Sequence, residues 1–392
     1  MKKQIILFAS IMDRANLNKV LFLLPYYLKK VFDCEAKIYV AKKTKDVPDE
    51  WRGIPIIQAS NFDQLIQSQH IWCDLYISFG YGKMTPVYPR ALKAINPQCV
   101  TCYVTDHAPD ISPLIKPAFG YRFSYLMKKI VKFPILLERF PKERKLGKQM
   151  YRAFDFYFTE TESAYKDILK HKWLHVDVSK KLSILDMGYD DESLAPIDEC
   201  LHMNVPRHNV FLFTGIVGGL FKNSRLVLQV LPLVHWKDDW SIVMAGPVRP
   251  GFQEKFDSLI RRRPDLAKRI SLIGNVTSRS ALFQLYRSSK VFFLTSDRES
   301  SCYSLVEAAL LGDYILSTPV GIAPELTQNG VHGSLYPGRN PRALAQFMDN
   351  IMIEKVSLED GAAYSAKMVR DQFSYSAIVS RCSVFKDHLL AK

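Results

Sequence analysis

Short apolar runs separated by helix-patterned sequence recur in two series along the 392 residues, and this rhythm narrows the possible folds more than any other feature. In the first half, Gln4 to Phe8, Ala36 to Val40, Leu75 to Phe79, Val100 to Thr105, Phe156 to Thr159 and Leu182 to Leu185 read as strands. In the second, Val210 to Thr214, Ile242 to Ala245, Ile270 to Ile273, Val291 to Leu294 and Tyr314 to Ser317 do the same. Such runs suit strands covered on both faces, and the helical patterns between them supply the covers. Strand–helix–strand repetition builds parallel sheets. The polar, proline-bearing stretch Asp190 to His208 reads as a linker between two of them. The expectation is an α/β protein of two doubly wound, Rossmann-like domains facing a central cleft. Residues 1–205 form the first, completed by 372–392, whose helix pattern FSYSAIVSRCSVFKDHLL crosses back; residues 206–371 form the second.

Composition removes several classes. No stretch approaches the ~20 consecutive apolar residues of a membrane span, and the basic start MKKQIILFAS meets Asp13 and Arg14 without a full secretory core, so a cytoplasmic location is expected. The seven cysteines are odd in number and scattered, which favours reduced thiols. Cys99 and Cys102 form a lone CxxC with no second pair and no nearby histidine set, and metal: none is the reading. A net charge of +14 calls for an anionic partner. Without zinc-finger spacing or an aromatic RNA-binding signature, nucleic acid falls below a phosphorylated substrate or an acidic lipid surface. The densest basic segment is 121–152, YRFSYLMKKIVKFPILLERFPKERKLGKQMYR. It interleaves Lys128, Lys129, Lys132, Arg139, Lys142, Arg144, Lys145 and Lys148 with bulky apolar residues. That mixture suits an anionic membrane surface, or a solvated helix face interrupted by Pro134 and Pro141.

Candidate chemistry concentrates in LTSDRESSCYSLVEAALLGDYILSTPVG, where Glu299 and Glu307 bracket a strand-to-helix turn. Val291 to Leu294 reads as a buried strand, Thr295 to Cys302 as the turn and Leu305 to Leu311 as helix. Ligands collect beyond the carboxyl ends of parallel strands, where a helix N-terminus offers N–H groups to a phosphate. A carboxylate on the turn could hold sugar hydroxyls, and one a turn into the helix could hold a ribose.

Further segments stand around this one in a fixed order. Upstream lie Gly215 and Lys222 in FTGIVGGLFKN, then Gly274 and Val276 in GNVTSRSALFQLYRSSKVFFLTS; downstream come Gly321 and Glu325 in VGIAPELTQNG, then HGSLYPGRNPRAL. From about Phe211 to Pro341 this order resembles the donor domain of the GT-B glycosyltransferases, specifically the large retaining family 4 (group 1), whose Glu-x7-Glu motif Glu299 and Glu307 match. The first half matches through MGYD (Met187 to Asp190), FDFYFTETES and His107 in VTCYVTDHAPD.

The resemblance implies a nucleotide-diphosphate sugar donor carrying UDP or GDP, with no tightly bound cofactor and no metal requirement. Glu299 would hold hydroxyls of the transferred sugar, Glu307 the ribose, and His107 a sugar hydroxyl or backbone near the anomeric carbon. The leaving diphosphate would fall to Gly215, to Lys222 or Arg225, and to the N–H groups of Ser301, Cys302, Tyr303 and Ser304. Gly274 and Val276 would flank the base, and Asp13 and Asn16 would lie on the acceptor side. Three departures accompany the match: Ile216 replaces the usual arginine, Asp13 to Asn16 a glycine pair, and Ser300 to Cys302 the glycines after Glu299. The implied activity is retaining transfer to a membrane-associated or lipid-linked glycan acceptor in bacterial surface-glycan assembly, at the inner face of the cell membrane. A soluble protein acceptor, a nucleotide-sugar epimerase and a non-catalytic sugar-binding scaffold remain open alternatives.

Overall fold

A computed structural model describes residues 2–12, 19–80, 82–105, 141–193 and 205–390. His107, Asp13, Asn16 and residues 121–140 of the basic segment lie outside them. The chain divides into two compact units, Met1–Asp186 with Val379–Lys392, and Met187–Ile378.

The first unit holds β1 (Gln4–Met12), β2 (Glu35–Lys43), β3 (Glu50–Trp51), β4 (Ile54–Gln58), β5 (Leu75–Phe79), β6 (Val100–Val104), β7 (Phe156–Thr159) and β8 (Leu182–Ile184). Their order across the sheet is β3-β4-β2-β1-β5-β6-β7-β8. Among the described strands only the β3–β4 pair is antiparallel. Sequence reading missed these two strands, because β3 is a two-residue stub and β4 is a five-residue run broken by Pro55. One face of the sheet is rich in rings: Phe8, Tyr76, Tyr103 and Tyr157 pack with Phe154 and Trp173. The final helix, Ser383–Leu389, brings Phe385 against Phe158 of β7, with ring centroids 5.6 Å apart.

Residues 141–153 are helical. Leu146, Met150 and Ala153 join the core, while Lys142, Arg144, Lys145, Lys148 and Arg152 are exposed. In this described part of the basic segment Leu146, Met150 and Ala153 are therefore already occupied in the core, while the cations are exposed. No helix among the described residues is long and apolar enough to cross a membrane.

The second unit holds β9 (His208–Thr214), β10 (Ser241–Ala245), β11 (Ile270–Gly274), β12 (Ser289–Leu294), β13 (Tyr314–Ser317) and β14 (Ser334–Leu335), all parallel, in the order β11-β10-β9-β12-β13-β14. Alternate residues serve opposite helical layers. Phe211, Phe213, Val291, Phe293, Tyr314 and Leu316 pack with Leu226, Val227, Val230, Leu344 and Met348. Their neighbours Leu212, Phe292, Leu294 and Ile315 pack with Phe283, Tyr286, Leu305, Val306 and Ala309. Period-two alternation between two apolar layers is why each strand reads as an unbroken apolar run.

The order of this sheet reverses between β9 and β12, so their carboxyl ends open a crevice at a topological switch point. Beside it the backbones of Gly215 and Gly246 nearly touch. Gly246 has φ +141°, and a Cβ there would collide with the Gly215 carbonyl. Gly246→Ala is expected to destabilise the second unit by at least 1–3 kcal/mol on backbone strain alone, about 2–4 °C of melting temperature per kcal/mol. Calorimetry checks this, and an unchanged melting temperature would show that the close approach has room to relax.

Candidate functional site

Two loops build the crevice. The first leaves β9 at Thr214 and carries Gly215, Lys222 and Arg225; the second leaves β12 at Leu294 and carries Glu299 to Cys302 before the helix Tyr303–Leu310. Lys222 Nζ lies 2.9 Å from Glu299 Oε1, with side chains 24% and 16% exposed. The Ser296 hydroxyl donates to the same oxygen at 2.6 Å. Gly215, at φ +133°, lets the lysine stem lie across the backbone: an added Cβ would be 3.4 Å from Lys222 Cε.

The β12 turn also holds the lysine's main chain. Thr295 Oγ1 donates to the Lys222 carbonyl at 2.7 Å, and the Asp297 N–H donates to the Phe221 carbonyl at 2.9 Å. Asn223 Nδ2 donates to Asp297 Oδ1 at 3.2 Å, and Arg339 grips both Asp297 oxygens at 2.9 Å. Gly321, at φ +55°, backs the turn, where any side chain would meet the Ser301 carbonyl and Glu299 Cβ. Ile322 N–H donates to that carbonyl at 3.0 Å.

Cys302 occupies the N-cap of the helix Tyr303–Leu310 with φ +86°, a left-handed conformation unusual for a side chain with a Cβ. Its sulfur lies 3.7 Å from Lys222 Nζ and 3.1 Å from the Ser304 hydroxyl. Burial works to lower the pKa of the Lys222 ammonium, but the Cys302 sulfur and the Glu299 carboxylate outweigh it, and the pKa stands above its ordinary value. Burial pushes the Cys302 thiol up.

Glu307 lies farther along the same helix. Arg279 Nη1 is 2.8 Å from Glu307 Oε1, and the Tyr286 hydroxyl donates to Oε2 at 3.4 Å. Tyr286 also shares a 2.9 Å hydrogen bond with Thr214 at the end of β9. Gly274 ends β11 with its carbonyl accepting the Gly246 N–H at 2.7 Å, and Val276 follows in the loop before the helix Arg279–Ser288. Ser301 is fully buried, with no hydrogen-bonding partner for its hydroxyl among the described residues. Tyr303 shares a 3.2 Å hydrogen bond with Tyr375. Among the described residues, no three His, Cys, Asp or Glu side chains gather as a metal site requires.

The structure thus joins Lys222, Glu299, Cys302 and Ser304 directly. Arg225 is exposed and turns elsewhere: a Cβ on Gly251 would lie 3.7 Å from its guanidinium. Sequence reading missed Thr295, Ser296, Asp297, Arg279 and Tyr286. The first three stand within the singled-out turn; Ser296 bonds Glu299 inside it, whereas the partners of Thr295 and Asp297 come from other loops. Arg279 and Tyr286 had no local signal, since their role depends on the packing of two helices.

Residues 208–353, within the second unit, match the family model described as Glycosyl transferases group 1. No curated protein matches the chain in sequence. Among solved structures, a glycosyltransferase from Rickettsia africae ESF-5 superposes with a TM-score of 0.70 at 14% identity, covering 100% of both chains. HepE from Anabaena, solved in complex with UDP, gives 0.70 at 15% identity over 98% of this chain and 99% of its own. WaaG, a glycosyltransferase involved in lipopolysaccharide biosynthesis, gives 0.61 at 13% identity over 97% and 99%. The fold is that of the GT-B glycosyltransferases.

Lys222→Met should leave Glu299 enclosed without its counter-charge, destabilising the second unit by on the order of 1.5–3 kcal/mol. Adding Glu299→Gln should restore part of the loss, whereas Arg225→Met should stay within about 0.5 kcal/mol. Urea denaturation reads each variant. Equal losses for Lys222→Met and Arg225→Met would refute the special standing of the pair.

Proposed function

We propose that this protein, built around a group 1 glycosyl transferase domain, is a retaining glycosyltransferase that uses a UDP or GDP sugar. The observation that carries the reading is the Lys222–Glu299 pair at the β9–β12 switch point, with Glu307 farther along the adjoining helix. A diphosphate leaving group needs a fixed cation and helix N-terminal N–H groups; Lys222 and the turn from Ser301 to Ser304 supply both. HepE, whose fold this chain shares, has been solved with UDP and with UDP-glucose.

In the proposed reaction the bond from the anomeric carbon to the diphosphate oxygen breaks, and the electron pair leaves with the diphosphate. Lys222 exchanges part of its contact with Glu299 for the β-phosphate, so the charge it holds grows as the bond breaks. Glu299, partly released, accepts hydroxyls of the transferred sugar. The acceptor hydroxyl attacks from the face the leaving group departs, retaining configuration, and its proton passes to a diphosphate oxygen. Gly274 and Val276 flank the base, and Glu307 takes the ribose. The first unit takes the acceptor, with His107, Asp13 and Asn16 on that side. No metal is needed where a lysine and a helix terminus already neutralise the diphosphate.

Glu299→Gln is expected to lower turnover while leaving UDP or GDP affinity intact, because its partner is the sugar. Glu307→Gln should weaken the nucleotide directly, by about tenfold or more. Titration calorimetry with the free nucleotides, beside transfer assays, separates the two. Unaltered nucleotide affinity in Glu307→Gln would remove the ribose assignment, and no stabilisation by either nucleotide would favour a non-catalytic scaffold.

For the acceptor we infer a membrane-associated or lipid-linked glycan, with the cations of residues 121–152 drawing the enzyme to an anionic surface in the cytoplasm. WaaG and the lipopolysaccharide outer core galactosyltransferase WaaB share the fold. Lys145, Lys148 and Arg152 are exposed while the apolar side of their helix is in the core, so attraction should be electrostatic, about 1 kcal/mol per cation near the surface. Replacing all three by glutamate is expected to weaken co-sedimentation with anionic vesicles strongly at low salt. Wild-type binding should itself fade as ionic strength rises. Binding that survives both changes, or is absent from the wild type, would put a soluble acceptor in first place.

A further inference from the structure

We propose that Arg279 is a positioning residue that makes the nucleotide site selective for ribose over 2′-deoxyribose, acting through Glu307 with Tyr286 as its counterpart. The inference rests on the reading that Glu307 receives the nucleotide's ribose.

Arg279, Phe283 and Tyr286 follow one another at intervals of four and three on the helix Arg279–Ser288, which places them on one stripe. The two ends of that stripe reach the two oxygens of Glu307, Arg279 at 2.8 Å on Oε1 and Tyr286 at 3.4 Å on Oε2. Between them, Phe283 carries the guanidinium carbon of Arg279 4.6 Å above its ring, which limits the rotation of a long side chain. Tyr286 is fully buried and tied to Thr214 at 2.9 Å, so its hydroxyl is fixed by a strand end.

An ionised carboxylate has about four acceptor positions, two on each oxygen. In Glu307 each oxygen spends one on the protein, leaving one on each oxygen for an incoming donor. Two acceptors side by side on a carboxylate whose rotation is blocked match a vicinal diol, the 2′- and 3′-hydroxyls of a ribose. Without Arg279 the carboxylate keeps its charge but loses one of its two fixed points. It can then turn to serve a single hydroxyl equally well, and the advantage of the second hydroxyl disappears. Arg279 is half exposed, so its replacement leaves no cavity.

The test compares wild type, Arg279→Ala and Arg279→Lys by titration calorimetry against UDP, GDP and their 2′-deoxy counterparts. Wild type should prefer the ribonucleotide of whichever base it binds by about tenfold or more, the worth of one charge-assisted hydrogen bond. Arg279→Ala should bring that ratio to within about threefold, chiefly through weaker ribonucleotide binding and with 2′-deoxy affinity nearly unchanged. Arg279→Lys, with a point charge in place of a fork, should fall between. A wild-type preference that survives in Arg279→Ala overturns this inference while leaving the ribose reading of Glu307 standing. Equal weakening of both sugars by Arg279→Ala also overturns it, since that would assign Arg279 a general effect on the pocket. A wild type that ignores the 2′-hydroxyl, or binds neither nucleotide, removes the ribose reading and this inference together.

Discussion

Burial of both faces of the central strands β9, β12 and β13 is the constraint on which the rest of the second unit depends. Their successive residues are claimed by one or other of two apolar layers, so a polar group in the middle of such a strand would lack a partner and cost on the order of 1–3 kcal/mol. Polar chemistry is thereby pushed to the strand ends. At the β9–β12 reversal the helices that follow the two strands pack in opposite layers, the arrangement beside which ligands bind in open α/β sheets. Thr214, Thr295, Ser296 and Ser317, buried and polar, mark where the apolar strands stop.

The charged pair there is braced more firmly than two long side chains would be alone. The turn that carries Glu299 also holds the main chain on both sides of Lys222 through Thr295 and Asp297, and Arg339 locks Asp297 from a third loop. Such an arrangement fixes the backbone from which both side chains extend, which an exposed ion pair on mobile loops lacks. It also aligns the cation before any ligand arrives, which is the condition for electrostatic stabilisation of a developing charge.

The departures from the glycine- and arginine-rich family pattern have structural consequences. Cys302 keeps the left-handed conformation that glycine would adopt freely, at a cost on the order of 1–3 kcal/mol. Its thiol is buried among Lys222, Ser304 and the core beneath the helix, and these contacts hold it there. Ile216, in place of an arginine, is 44% exposed beside the still more exposed Leu220 and Phe221. The first loop therefore presents an apolar rim and keeps Lys222 as the cation that meets Glu299.

Local pattern by itself determined the parallel strands, the helix after Glu299 and the turn between them, because two-faced burial writes a continuous apolar run and a strand end writes a change to polar residues. It missed β3, β4 and β14, which are too short or too interrupted for a period to appear, and whose pairing comes from neighbouring strands. It put Lys222 ahead of Arg225 for the diphosphate but kept both as candidates, since both follow the same glycine on the same loop. Only the adjacency of β9 and β12, strands not consecutive in the chain, decided that Lys222 reaches Glu299 while Arg225 turns toward Gly251. The partners of Glu307 were invisible for the same reason. Arg279 and Tyr286 look like ordinary helix residues until two helices pack with their stripes face to face, and nothing in a local window records which helix will be the neighbour.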